Sequence, residues 1–400
     1  MNYQTWIHAL RGRTLPVAAI DLDALEHNLA ILLAARSRPN VTLRVASKSL
    51  RVRGLISYLH ERGGGAIHGV MAYSAMEACW LARQGTSDIL MGYPLSQPDE
   101  AQQVARACAE GHRIIPTVDA PEHVALLDDA ARACGVTLPI CLDIDMSLRG
   151  LGGRVHLGVR RSPLRLGSHV RALARRVADA SHLHVHALLA YEAQVAGMAD
   201  HNPHAPLLDP IKRWIKSRSV GVAVERRAAV LQALIAAGDE VRIVNGGGTG
   251  SVATTSADPS VTEVTVGSGF LCPHLFDGYD GLALEPAAFF AIPVVRSSDP
   301  GFVTCAGGGL IASGAVGPDR APRVHLPQGL APTSLEGWGE VQTPFDRTLC
   351  PLPLGLGSPV IARHAKAGEL FERFSRVLLL RGGEIVDDLP TYRGEGQCFG

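Results

Sequence analysis

Three stretches of this sequence hold residues whose types and spacing suit them to chemistry. The first is Thr42-Leu43-Arg44-Val45-Ala46-Ser47-Lys48-Ser49, where a short strand pattern gives way to a helix pattern at Lys48. An amine placed there can form an imine with a carbonyl compound, provided that it can shed its proton; desolvation and nearby cations both favour the neutral form. Side chains alternate along a strand, so Arg44, Ala46 and Lys48 share one face, and Arg44 is expected to be the tuning cation. The second stretch is Asn245-Gly246-Gly247-Gly248-Thr249-Gly250-Ser251, directly after a strand pattern ending at Val244. Glycines let backbone amides approach an anion closely, and Thr249 and Ser251 add hydroxyl donors. No Lys-Ser/Thr pair follows as a Walker A loop requires, and the third glycine of a dinucleotide fingerprint would fall on Ser251. The third stretch, Val266-Gly267-Ser268-Gly269-Phe270, follows the next strand.

These stretches need a frame to bring them together. Strand patterns recur at 42–47, 66–73, 88–94, 113–119, 137–145, 183–192, 240–248 and 262–271, with helical patterns between most of them. Ser74 with Glu77 reads as a capping box, and Gly85, Gly111, Gly135 and Gly238 close other helical patterns. Strands alternating with helices predict a parallel sheet, and eight strands after residue 40 predict an α/β fold of the (β/α)8 TIM barrel type over residues 13–275. An open doubly wound sheet is the structural rival. Segment 16–22 is left over as a ninth strand that a second domain can take. From residue 276 to 400 the texture turns Pro- and Gly-rich with short strands, including a hairpin around Gly382-Gly383, which predicts a C-terminal β-rich domain with residues 1–12 able to pack on it. Segment 199–215 reads as a long loop, a lid or a plain insertion.

On a barrel of this kind the loops after strands seven and eight commonly bind phosphate. With Lys48 at the end of strand one, the three stretches describe a pocket that holds a phosphate and offers an amine. Pyridoxal 5′-phosphate needs both.

The sequence also resembles a known family. Arg44-Val45-Ala46-Ser47-Lys48-Ser49, Tyr73-Ser74-Ala75-Met76-Glu77-Ala78, Asp88-Ile89-Leu90-Met91-Gly92-Tyr93-Pro94, Gly246-Gly247-Gly248-Thr249-Gly250 and Val266-Gly267-Ser268-Gly269 are similar to motifs of the fold-type III pyridoxal phosphate enzymes. The resemblance is to the D-threonine aldolase and D-serine dehydratase branch, related to alanine racemase. It implies the barrel, the β domain, a homodimer and action on D-configured β-hydroxy amino acids. It implies Lys48 as the Schiff-base lysine, Arg149 near the cofactor's phenolic oxygen, Tyr191 near its ring, and Gly247, Gly248, Thr249, Gly267 and Ser268 as the phosphate cradle. The branch also places a divalent metal by the substrate hydroxyl, on a histidine and on a cysteine or aspartate two residues later. Here His364 is followed at that spacing by Lys366, whose ammonium has no lone pair for a metal. The expectation is therefore no metal, with Lys366 supplying the positive charge beside His364.

The expected activity is a lyase that cleaves or dehydrates such an amino acid through Lys48. A racemase or epimerase is the alternative, needing a second base on the other cofactor face. A non-catalytic pyridoxal phosphate carrier is a further one, and the β-rich domain argues against it. Composition closes other classes. Lys+Arg and Asp+Glu balance at 38 each, which gives no support to nucleic-acid binding. The 8 cysteines are scattered without a CxxC pair, which predicts reduced thiols in a cytoplasmic protein. No signal peptide is evident at the start, and no apolar run is long enough for a membrane span. His182, His184 and His186 share a strand face, but near the strand start, the barrel end concerned with stability.

Overall fold

The computed structural model describes residues 1–150, 154–201 and 206–399. Eight strands close a parallel barrel: Thr42–Ala46, Ile67–Ala72, Ile89–Pro94, Ile114–Val118, Leu138–Asp143, Leu183–Ala190, Ile243–Gly246 and Glu263–Val266. Each lies inside one of the eight expected segments. Backbone pairing closes the ring, with Val264 opposite Leu43 and Val266 opposite Val45. The first strand shows how period two divides labour. Leu43 and Val45 join the large core shared with the surrounding helices, worth roughly 1.5–3 kcal/mol for each such side chain. Arg44 and Ala46 alternate with them. Leu90, Ile115, Cys141, Ala187, Leu189 and Ile243 form a separate cluster, contributed by neighbouring barrel strands.

The helices begin where the sequence says they should. Pro98 and Pro121 stand in first turns, where the missing N–H costs nothing. Ser74 accepts the Glu77 amide at 3.2 Å, and Glu77 reaches back to the Tyr73 amide at 2.8 Å. The Glu77 carboxylate also accepts the Tyr392 hydroxyl at 2.9 Å, tying this helix start to the far end of the chain. One helix is much longer than expected. The helical pattern at 224–238 belongs to a helix over Asp209–Ile235, so the loop read at 199–215 ends before Asp209 and its last part is helix. Residues 202–205 of that segment lie outside the described residues. The first turns of this helix were invisible to periodicity because they bury no stripe: Ile211 is 55% and Trp214 65% exposed.

The second sheet is built around Ala288–Arg296, which pairs with Val17–Asp21, Phe302–Ala306 and Pro359–Arg363. That strand gives no alternation in the sequence, because both its faces are covered. Phe289 packs on Trp6 with ring centroids 5.4 Å apart, and Phe290 packs on Trp338 at 6.2 Å. Val17–Asp21 also runs parallel to Arg376–Arg381. The chain therefore enters the β-rich sheet before it enters the barrel: within the 13–275 span, Val17–Asp21, the leftover ninth strand, pairs in the second sheet. The helix Tyr3–Ala9 lies on the same sheet, with Trp6 and Leu10 against Phe289, Ile361 and Leu378. Arg376–Arg381 and Glu384–Pro390 form the hairpin expected around Gly382-Gly383. No helix among the described residues is long and apolar enough to cross a membrane.

Candidate active site

A cavity of about 390 Å³ opens at the carboxyl ends of the barrel strands. Lys48, Tyr73, Tyr93 and Tyr191 reach it from loops or strand ends of the barrel, and the two glycine loops form another wall. Arg320, Lys366 and Glu369 of the second domain complete the lining. Residues separated by more than 300 positions thus share one wall because the second domain sits over the barrel mouth.

The glycine loops form a cradle with no room to spare. A Cβ on Gly267 would come within 2.6 Å of Ser49 Cβ and Oγ. Gly247 has φ +65° and a Cβ there would meet Thr255 Oγ1 at 2.7 Å, so only glycine fits. Buried charges hold the first loop. Glu192 accepts the Gly247 amide at 3.0 Å, and Arg227 pairs with Glu192 at 2.6 Å and with Asp258 at 2.8 Å. Thr249 Oγ1 accepts the Gly269 amide at 3.0 Å, locking one loop to the other. Ser49 and Ser268 face each other with Oγ atoms 3.4 Å apart. Small residues, hydroxyls and backbone in this arrangement fit a phosphate ester. Gly247, Gly248, Thr249, Gly267 and Ser268 all line the cavity, as does Ser49, which the sequence reading did not single out.

Lys48 Nζ donates to Tyr93 Oη at 2.7 Å. Arg161 lies over the Tyr93 ring at 5.2 Å and over the Tyr191 ring at 5.7 Å, and its guanidinium forms no ion pair among the described residues. Burial pushes the Tyr191 phenol above its ordinary value. Arg149 is not part of this wall. It lies on a short hairpin strand, Leu148–Gly150, and its guanidinium donates to Asp145 at 2.7 Å, outside the cavity lining. Asp145, also bonded by Arg165 at 3.3 Å, captures the nearest arginine, and the later Arg161 turns into the site instead. Arg44 also departs from expectation. It is fully buried and bonded to Glu263 at 2.6 Å and Asp88 at 2.7 Å, so its charge is already neutralised within the barrel.

Lys366 lines the cavity, with Nζ 2.9 Å from Ser313 Oγ and 3.7 Å from Glu369. His364 does not line it; it borders an adjoining cavity of about 370 Å³ that shares Lys366 and Glu369. Burial, then the neighbouring Arg363 and His274, push the His364 imidazole down to about 3, so the ring is neutral. Lys366 cannot ligate, and no three His, Cys, Asp or Glu side chains among the described residues are grouped to hold a metal ion. Lys366 thus stands where the resembling branch has its second ligand.

Tyr93 and Arg161, like Ser49, line the cavity without having been singled out in the sequence. Tyr93 had a usable signal, since it is the penultimate residue of a barrel strand, at the face where barrels do chemistry. Arg161 had none: nothing in Val159-Arg160-Arg161-Ser162 marks which arginine turns inward. His182, His184 and His186 lie away from the cavity, His186 Nε2 lying 3.0 Å from Arg113.

A family model described as alanine racemase, N-terminal domain, matches residues 20–270. A 3-hydroxy-D-aspartate aldolase of Paracoccus denitrificans (strain Pd 1222) is 26% identical over 253 residues, 63% of this chain and 59% of that enzyme. The chain thus spans about three fifths of the length of the curated relatives it matches. Among solved structures, D-threonine aldolase from Filomicrobium marinum superposes with a TM-score of 0.77 at 21% identity, covering 95% of both chains. D-threo-3-hydroxyaspartate dehydratase from Delftia sp. HT23 gives 0.72 at 19% identity, covering 96% of this chain and 98% of that one. At such identity these two show the fold, a barrel with a β-rich domain. The chain belongs to the alanine racemase N-terminal domain family.

Proposed function

From that membership we infer that the protein is a pyridoxal phosphate-dependent lyase acting on a D-configured β-hydroxy amino acid, by aldol cleavage or dehydration, without a divalent metal. The observation that carries the reading is the placement of Lys48 Nζ in one cavity with the tight cradle of Gly247 and Gly267. Lys48 is the covalent attachment point. Gly247, Gly248, Thr249, Gly267 and Ser268, with Ser49, hold the phosphate, and Tyr191 and Arg161 flank the rest of the group. When bound, pyridoxal phosphate supplies the electron sink for the pair left at Cα.

The chain's own residues do the remainder. Lys48, freed by the incoming amine, exchanges a proton at Cα. Lys48 and Arg161 line the cavity without an ion-pair partner among the described residues, whereas Arg51, Arg320 and Lys366 there pair with Glu372, Asp319 and Glu369. The two unpaired cations support an anionic ligand, and a second carboxylate like that of 3-hydroxyaspartate, named in the relatives, suits them. The Lys366 ammonium, held by Ser313 and Glu369, stands where it can neutralise a substrate oxyanion or carboxylate. The second domain roofs the mouth and excludes water. A cytoplasmic homodimer completes the proposal.

The test begins with an absorption spectrum. The visible band of lysine-linked pyridoxal is expected in the wild type and lost in Lys48→Ala, whose turnover falls by about 10⁴-fold or more. D- and L-β-hydroxy amino acids, 3-hydroxyaspartate among them, are then screened with and without chelator. Glycine identifies aldol cleavage and a ketoacid identifies dehydration; the opposite enantiomer as sole product, or no turnover, sinks the lyase reading. Turnover is expected to survive chelation, and a stoichiometric divalent ion bound at His364 would overturn the metal-free part.

A further inference from the structure

One group in the cavity is given no task by the roles set out so far. Tyr93 is the penultimate residue of the barrel strand Ile89–Pro94 and lines the cavity at its mouth. Its hydroxyl is the group hydrogen-bonded to Lys48 Nζ, at 2.7 Å, and its ring also lies 5.2 Å from that nitrogen.

Cations surround the phenol. Lys48 comes from the loop after the first barrel strand, Arg161 from the segment after the fifth, and Lys366 from the second domain; Tyr191 faces it from the end of the sixth. Burial pushes the Tyr93 phenol up, but Lys48, then Arg161 and Lys366, outweigh it and bring it below its ordinary value. A phenol under those influences can give up its proton and take one back.

We propose that Tyr93 is a catalytic residue, the acid–base group that serves the substrate's β-oxygen and relays protons to and from Lys48. The proposal rests on the lyase reading above. In aldol cleavage the Tyr93 phenolate takes the β-hydroxyl proton. The O–H pair would become the second bond of the new carbonyl, and the Cα–Cβ pair would be left at Cα, where bound pyridoxal phosphate would supply the electron sink. Lys48 as ammonium then protonates Cα, and the Tyr93 phenol returns its proton to Lys48, restoring the starting pair with no net change. In dehydration the relay runs the other way: Lys48 takes the Cα proton and Tyr93 as phenol protonates the departing hydroxide to water.

The decisive variants are Tyr93→Phe and site-specific 3-fluorotyrosine at position 93. In cofactor-free wild type, ultraviolet titration is expected to show one tyrosine ionising before the others, absent from Tyr93→Phe. The loaded Tyr93→Phe protein is expected to keep its visible band while kcat falls by about 10²–10⁴-fold with little change in KM. Fluorination, which acidifies the phenol and preserves its shape, is expected to move one limb of the pH–rate profile to lower pH. Turnover by Tyr93→Phe within about a few-fold of wild type, or a pH limb that ignores fluorination, overturns the proposal. A wild type with neither band nor turnover brings down the lyase reading itself, which separates the two failures.

Discussion

Arg44 and Lys48 stand four residues apart on one strand and its following turn, and the molecule treats them in opposite ways. Arg44 is fully buried inside the barrel and clamped between Asp88 and Glu263. Burial pushes the Asp88 carboxyl up, but Arg44, then Arg113 and His68, hold it below its ordinary value. Lys48 is exposed to the cavity, bonded to a phenol, and shares it with other cations. One region satisfies its charge within itself and so contributes rigidity. In the other, Lys48 and Arg161 have no ion-pair partner among the described residues, which suits an anionic ligand.

Removing the clamp breaks the comparison hardest. Arg44→Leu leaves buried Glu263 without its cation and Asp88 with only Arg113 and His68, and is expected to cost about 3–5 kcal/mol of stability in denaturant unfolding, with cofactor uptake retained by the folded fraction. A loss below about 1 kcal/mol would mean that water or rearrangement satisfies Asp88 and Glu263.

Arg161→Ala probes the opposite case. Here kcat/KM is expected to fall by about 10²-fold, while unfolding free energy changes by no more than about 0.5 kcal/mol. Equal damage to stability would place Arg161 with Arg44 as a structural cation.

Glu77 gives the smallest and sharpest test, because it is a buried carboxylate without the clamp that Asp88 enjoys. Burial pushes its carboxyl up to about 7, only partly offset by the Tyr73 amide and the hydroxyls of Ser47 and Tyr392. The folded state therefore keeps a proton that the unfolded chain releases above its ordinary value. Stability contributed by that protonated form is present at low pH and is lost as pH rises from the ordinary carboxyl range to about 7. In Glu77→Gln the stability lost across that window should shrink, by roughly 1–3 kcal/mol in total. Asp143, also pushed up to about 7 by burial and then by Asp119, leaves a residual slope of the same sign. Parallel stability–pH curves for variant and wild type would show that Glu77 is paired in solution.

The barrel strands were legible because each repeats a local pattern, and the glycine loops because their composition is rare outside tight turns and anion cradles. The strand Ala288–Arg296 was not, since burial on both faces erases alternation. The first turns of Asp209–Ile235 were not, since a helix segment that covers no core carries no apolar stripe. Within the site, Lys48 and the cradle were readable from position after a strand. Arg149 was the natural choice on its motif, yet Asp145 lies close enough along the chain to capture it.

The sequence by itself marked the barrel strands, the glycine loops and the lysine after the first strand, because these show as local composition or as a period repeated along the chain. Tertiary structure alone decided which charges are cancelled. Glu263 meets Arg44 across 219 positions, and Lys366 reaches the Lys48 cavity from the second domain. Coulomb energy depends on distance and burial, and neither is written in the spacing of residues along a chain.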